Sequence, residues 1–305
     1  MNSAPNLLTL LSLLAVLASV APAQNPTGDE ALPKVLVPGE DWQLVGEGFG
    51  FTDGACADAE GNFYFSDLPK GVLHRVTPEG RVSAFLENGP QISGLKFGPD
   101  GKLYAATQRP KKQIITIMPD TKEITVLADE VAPNDLVVSH QGHAYFTDTG
   151  KGRVMAIDPQ KKLSVAAEGI NAPNGITLSP DQRSLAVSEY KGTNVWLFRV
   201  EADGSLSHGT RSMELRTPAG RPDSGGDGST TDTQGRYYVT SHLGIQVFDA
   251  TGRLSGVITK PTNKGCVSVA FAGPDHACLY ACAADKVFRR KTQAKGALFF
   301  QPPKR

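Results

Sequence analysis

The 305-residue chain lacks the features that announce most functional classes. It carries no net charge, because 31 Lys and Arg cancel 31 Asp and Glu. No basic run exceeds three or four residues, which argues against a nucleic-acid-binding face. Six histidines and four cysteines are sparse and scattered, and no CxxC or Cys/His spacing suggests zinc. A helical period is also missing from the apolar residues. Glycine (32) and proline (21) are abundant instead, as expected of many short strands joined by turns. With 40% apolar and 20% charged residues, the chain is globular rather than disordered.

The N-terminus differs from the rest. Leu7 to Val20 is almost continuously apolar, and Ala21-Pro22-Ala23 fits a small-x-small cleavage site before Gln24. Residues 1–23 therefore read as a secretory signal peptide, too short and wrongly flanked to span a bilayer. The stretch Met1 to Asn6 has no Lys or Arg, so an uncleaved N-terminal anchor is the alternative. The expectation is an exported protein, periplasmic or secreted, with no stable membrane insertion after cleavage. Residues 24–40 read as a linker and 41–300 as the folded domain. An oxidising compartment permits disulfides among Cys56, Cys266, Cys278 and Cys282. Cys278 and Cys282 lie four apart on one strand, too far to pair. A Cys56–Cys266 bridge and a set of small buried thiols are the two readings.

A segment recurs along the chain: a polar turn, then aromatic or β-branched residues, then Ser, Thr or Asp. It appears as GNFYFSD (61–67), GKLYAAT (101–107), GHAYFTD (142–148), SLAVSEY (184–190), GRYYVTSH (235–242) and CLYACAAD (278–285). Four of the five intervals are close to 41 residues, and the long one holds a Gly/Pro/Ser-rich insert around Thr217 to Gly226. Each copy has an apolar segment before it and two after it. Four short strands per unit, repeated six times, predict an all-β, six-bladed β-propeller with four antiparallel strands per blade. For closure of the ring, either WQLV (42–45) supplies an outer strand to the last blade or GALFF (296–300) completes it.

In such a fold the innermost strands begin around one mouth of a central channel. Counting back 11 or 12 residues from each aligned position reaches Asp53, Ser93, Asn134, Asn174, Asp227 and Ser268. Asp, Asn and Ser are common before strands, but six of them directed at one axis form a ring of oxygens. Two carboxylates (Asp53, Asp227) and two amides (Asn134, Asn174) offer hard ligands to one divalent cation: calcium first, then magnesium or manganese, with zinc behind them. The second strands end at the same mouth, near Asp67, Gln108, Arg109, Asp148, Glu189 and His242. Of these, Arg109, Glu189 and His242 are candidate substrate contacts, and His242 suits proton transfer near neutrality.

These residues also carry a resemblance. FTDGACADAEGNFYFSD (51–67), APNDLVVSHQGHAYFTD (132–148), APNGITLSPD (172–181), DGSTTDTQGRYYV (227–239) and VSVAFAGPD (267–275) resemble the SMP-30/gluconolactonase/LRE-like family over nearly all of 44–296. The resemblance implies a propeller that holds one divalent cation, usually calcium, and hydrolyses lactones or related esters. It implies Asn174 (the NG motif) and Asp227 (the DG motif) as ligands. Asn134 matches the PND asparagine, which contacts metal or substrate, and Asp227 is carried over as ligand and catalytic base. Asp53 stands where the family has the glutamate of EGP. It is one methylene shorter, so the ion would shift by ~1.5 Å or accept a bridging water. The expected activity is hydrolysis of a small-molecule lactone, such as a sugar lactone. The rivals are a calcium-dependent esterase or phosphotriesterase and a non-catalytic binding propeller. Oligomeric state is left open.

Overall fold

Each copy of the repeat folds into its own sheet. The computed structural model of the chain describes Met1 and residues 29–303; apart from Met1, the signal peptide expected over 1–23 lies outside the described residues. Six four-stranded antiparallel sheets follow one another, the first five running in chain order from inner to outer strand. Blade one comprises Thr52–Ala57, Phe63–Asp67, Val72–Val76 and Val82–Leu86. Blades two to five occupy 91–128, 136–168, 173–214 and 229–259. The inner strand of each blade packs against that of the next, and the sixth packs against the first. The result is a closed six-bladed β-propeller.

Closure uses both ends of the chain. Blade six takes three strands from 268–291, and its outermost strand is Gln43–Glu47, paired antiparallel with Lys286–Lys291. Of the two ring-closing segments the sequence offered, the N-terminal one is used. The other leaves the sheet and crosses the channel at the end opposite the strand starts. There Gly296 N donates to His276 O (3.0 Å), Ala297 N to Thr231 O (3.0 Å), and Gln182 Nε2 to Phe299 O (2.9 Å). Part of the expected linker is also packed. Asp29–Lys34 forms a 3-10 helix, Val35 is fully buried, and Gln293 N donates to Val35 O at 2.7 Å.

No single core holds the molecule. Six apolar clusters lie in the seams between adjacent blades, from blade one against two round to blade six against one. In the last seam Phe63 stacks on Tyr280 with centroids 4.5 Å apart. Phe299 and Phe300 of the crossing segment plug into the seams of blades three/four and one/two.

The recurring tyrosine has a local cause. Its ring fills a seam while its hydroxyl caps an aspartate in the preceding turn: Tyr64 on Asp58 Oδ2 (3.0 Å) and Tyr238 on Asp232 Oδ2 (2.8 Å). Tyr145 donates instead to Gly204 O at 2.7 Å. A hydrogen bond to a charged group contributes about 1.5–3 kcal/mol. Tyr238→Phe should therefore lower the urea-unfolding free energy by about that much. Tyr104→Phe, whose hydroxyl lies 3.4 Å from the exposed Asp100, should change it far less.

Candidate metal and active site

The six counted residues fall where the inner strands begin. Asp53 and Asn174 are the second residues of Thr52–Ala57 and Pro173–Leu178, and Ser268 opens Ser268–Ala272. Ser93 sits near the start of Gln91–Phe97, while Asn134 and Asp227 stand two residues before Leu136–Val138 and Ser229–Thr231. Blades one, two and four slip register at this point. Blades three and five make the equivalent irregularity, with Asp227 N and Gly228 O both bonded to Thr240. Such bulges re-aim a side chain at the strand end.

Hydroxyls then tie each strand start to the next blade. Ser93 Oγ donates to Asn134 O (2.6 Å), Thr147 Oγ1 to Asn174 O (2.7 Å), Ser188 Oγ to Asp227 O (3.0 Å) and Thr240 Oγ1 to Val267 O (3.1 Å). Ser268 Oγ accepts from Ala55 N at 3.0 Å. The blades approach so closely here that a Cβ on Gly175 would lie 2.1 Å from Asp227 O, and one on Gly228 2.6 Å from Val267 O.

The ring is electrostatically stressed. Burial raises the Asp53 carboxyl from the ordinary 3.8 to about 8; the Asp135 charge adds to this, while Gly54 N–H and Lys96 oppose it. Asp227 is pushed well above its ordinary value by burial first, then by Asp53 and Asp135. Each of the two carboxylates turns one oxygen to its own strand, Asp53 Oδ1 accepting from Gly54 N (2.8 Å) and Asp227 Oδ1 from Gly228 N (3.0 Å). Asp53 thus adopts the same local arrangement as Asp227 despite replacing a glutamate of the resembled pattern. Beside them the Asn174 side chain is buried, and its Oδ1 has no hydrogen-bond partner.

An orphaned buried acceptor demands an explanation. Two acids that repel each other next to an unpaired amide oxygen are what a hard cation would relieve. Among the described residues no three His, Cys, Asp or Glu side chains form a metal cluster by themselves, so the amide oxygens are needed to complete the donor set. The residues present fit such an ion.

The rim residues separate into two groups. Glu189 is buried and already engaged: it accepts from Trp196 Nε1 (2.8 Å), Asn194 Nδ2 (3.1 Å) and Asn171 N (3.3 Å). Asp67 clamps Gly50 N (2.9 Å) and Lys70, and Asp148 holds Arg153 Nε at 3.0 Å. These three brace the rim. His242 keeps a partly open ring, packed over Gly225, with Nε2 2.8 Å from Asp223 Oδ1 and Tyr190 at its edge. Arg109 is exposed at a groove between blades one and two, beside Lys70, Gln91 and Lys112. Gln108 Nε2 donates to Ser93 Oγ (2.8 Å) and Pro133 O (2.6 Å), bracing the Asn134 segment.

Sequence reasoning passed over Asp135, Lys96 and Asp223. Asp135 lies inside the quoted PND motif, and Lys96 is a charge amid the apolar run of an inner strand; both signals were available. Asp223 pairs with His242 only through the fold. The four cysteines are buried and unpaired, so the Cys56–Cys266 bridge is not formed.

A sequence profile of the SMP-30/gluconolactonase/LRE-like region matches residues 51–285. A gluconolactonase of Zymomonas mobilis is 27% identical over 297 residues, covering 83% of this chain and 82% of that protein. The pentonolactonase XacC of Haloferax volcanii is 27% identical over 233 residues, covering 74% and 78%. Among solved structures, regucalcin from Agrobacterium tumefaciens, described as a calcium-binding protein, superposes with a TM-score of 0.71 at 16% identity. The match covers 86% of this chain and 98% of that one.

A carboxyl whose pKa is higher in the folded than in the unfolded state stabilises the fold most below the unfolded value, and that contribution is lost as pH rises through the folded one. In EDTA, Asp53 should therefore make the thermal midpoint fall as pH rises from about 4 to about 8. Asp53→Asn should flatten that part of the profile, and at pH 8 the metal-free variant should melt above the parent.

Proposed function

The chain belongs to the SMP-30/gluconolactonase/LRE-like family, and from that premise we propose that it hydrolyses a lactone at the channel mouth with the help of one divalent cation. The observation that carries the reading is the buried, unpartnered Oδ1 of Asn174 on the strand start packed against that of Asp227, whose carboxyl Asp53 also acts on. These three, with Asn134, would hold the ion, and an all-oxygen set of two carboxylates and two amides favours calcium. When bound, the cation supplies a Lewis acid that polarises the lactone carbonyl and stabilises charge developing on its oxygen.

The chain's own groups do the rest. Asp227 takes a proton from the attacking water, whose oxygen bonds to the carbonyl carbon. The ring C–O bond breaks, the ring oxygen receives the proton, and the product is an open-chain hydroxy acid. His242, oriented by Asp223, and Arg109 on the rim offer donors to substrate hydroxyls or to the developing carboxylate. The relatives' names, gluconolactonase and pentonolactonase, support a sugar lactone as the substrate class. The apolar run Leu7 to Val20 supports export to the periplasm or beyond.

A hydrolysis screen of sugar lactones, aryl esters and phosphotriesters, run with and without EDTA and with calcium added back, tests this. Lactones should be the fastest substrates, EDTA should abolish turnover, and calcium should restore it. Asp227→Asn should lower kcat by about 10²–10⁴-fold, while Asn174→Ala should raise the calcium concentration needed for half-activity. Faster turnover of phosphotriesters, or EDTA-insensitive lactone hydrolysis, would sink the reading.

A further inference from the structure

Behind the mouth the channel contains an ammonium group that lactone hydrolysis does not use. Lys96 stands on the inner strand of blade two between the buried Leu95 and Phe97. Its Nζ crosses the seam and donates to Ala55 O of blade one at 3.0 Å. With Ala55, Val138, Thr230, Ala270 and Phe299, it lines a cavity of about 40 Å³ between the ring of strand starts and the crossing C-terminal segment. The other five seams are bridged at the mouth by the Ser and Thr hydroxyls described above; this one is bridged by a full positive charge. Two residues before Lys96 on the same strand, and so on the same face, a Cβ on Gly94 would lie 2.9 Å from Asp135 Oδ1, and Ala55 follows Asp53 by two on the neighbouring strand.

Burying an ammonium is costly unless carboxylates compensate it. Around a bound cation, ionised Asp53, Asp135 and Asp227 would carry three negative charges at the strand starts of blades one, three and five. Lys96 offsets one of them, and the two that remain match a single divalent cation. We propose that Lys96 is a resident counter-ion that sets the channel's cation occupancy. Covalently tethered, it stands where a second cation would otherwise be drawn in, and it confines binding to one divalent ion at the mouth. This assignment rests on the metal reading above. Lys96 is a positioning residue, acting on the ion through the field and through Asp135.

Like charges a few ångströms apart in a partly desolvated site repel strongly. Removing Lys96 should therefore tighten cation binding as well as loosen the metal-free fold. Calorimetric calcium titration of the metal-stripped chain, with thermal melts in EDTA and in calcium, tests this. The parent should bind one ion. Lys96→Met should bind a second ion, or bind the first at least tenfold more tightly, with a larger calcium-induced rise in Tm. Lys96→Arg, which keeps the charge, should retain parental stoichiometry. Lys96→Met/Asp135→Asn restores the charge balance and should return to parental affinity, which keeps the test open if the single variant fails to fold. A folded Lys96→Met with parental stoichiometry and affinity overturns the assignment, as does a double variant that departs from the parent. A merely structural lysine would lower Tm equally with and without calcium. If the parent itself takes up no cation, the metal reading falls and this one with it; a parent that binds one ion with Lys96→Met unchanged removes only the role of Lys96.

Discussion

Six strand edges meet around one axis, and they cannot hydrogen-bond to one another as a sheet. The hydroxyl bridges at the mouth resolve that conflict. Ser93, Thr147, Ser188 and Thr240 each reach from one blade to a backbone carbonyl at the start of the next. Buried carbonyls left without donors would be destabilising, so these side chains are required wherever the inner strands converge. The same bonds fix the backbone of Asn134, Asn174 and Asp227. Gly175 and Gly228 make the approach sterically possible. Site geometry and ring closure are therefore one structural fact: the residues that would hold an ion are positioned by the contacts that keep the blades together.

That coupling explains how the fold tolerates a strained centre. The desolvated Asp53 and Asp227 repel each other and destabilise the metal-free chain. Stability has to come from elsewhere, and it comes from the six seams and from the double closure by Gln43–Glu47 and the crossing segment. A site assembled from four blades cannot relax locally, because moving one strand start breaks bonds in two seams. Rigid preorganisation of this kind suits electrostatic catalysis, which depends on donors held in place before charge develops.

Much of this was legible in the sequence because a repeat turns counting into geometry. Once Tyr64 and its five counterparts are aligned, a fixed step reaches the strand starts without any knowledge of the chain's path. The misses share a cause: they depend on contacts across a seam or within a loop, which no local pattern encodes. Glu189 reads as a rim acid, yet the indole of Trp196 and the amide of Asn194 occupy its oxygens. Asp135 stood next to a counted residue and was passed over, although its burial follows from the close approach of Gly94 in the preceding blade. The choice between 42–45 and 296–300 for closing the ring turned on a non-local pairing. Both segments are short and apolar, and only the register with Lys286–Lys291 separates them.

The crossing segment has a consequence for chemistry as well as for closure. By lying over the far end of the channel, residues 296–300 leave the ring of oxygens open chiefly at its mouth. Phe299 and Phe300 fill the seams beneath it, and the cavity that remains on that side, about 40 Å³, holds no more than a few waters. Under the proposed function a substrate would enter past the rim, where His242 with Asp223, Tyr190 and Arg109 present open surface while Asp67, Asp148 and Glu189 are occupied in bracing. On that reading, selectivity among lactones would fall to the first group, and the second fixes where the first stands. The centre is the same kind of oxygen ring whatever the substrate, so differences in specificity should be written in the loops that end the second strands. Asp53 belongs to the centre rather than the rim. Its local arrangement repeats that of Asp227, so its shorter side chain would bear on how far a bound ion sits from blade one more than on which lactone is chosen.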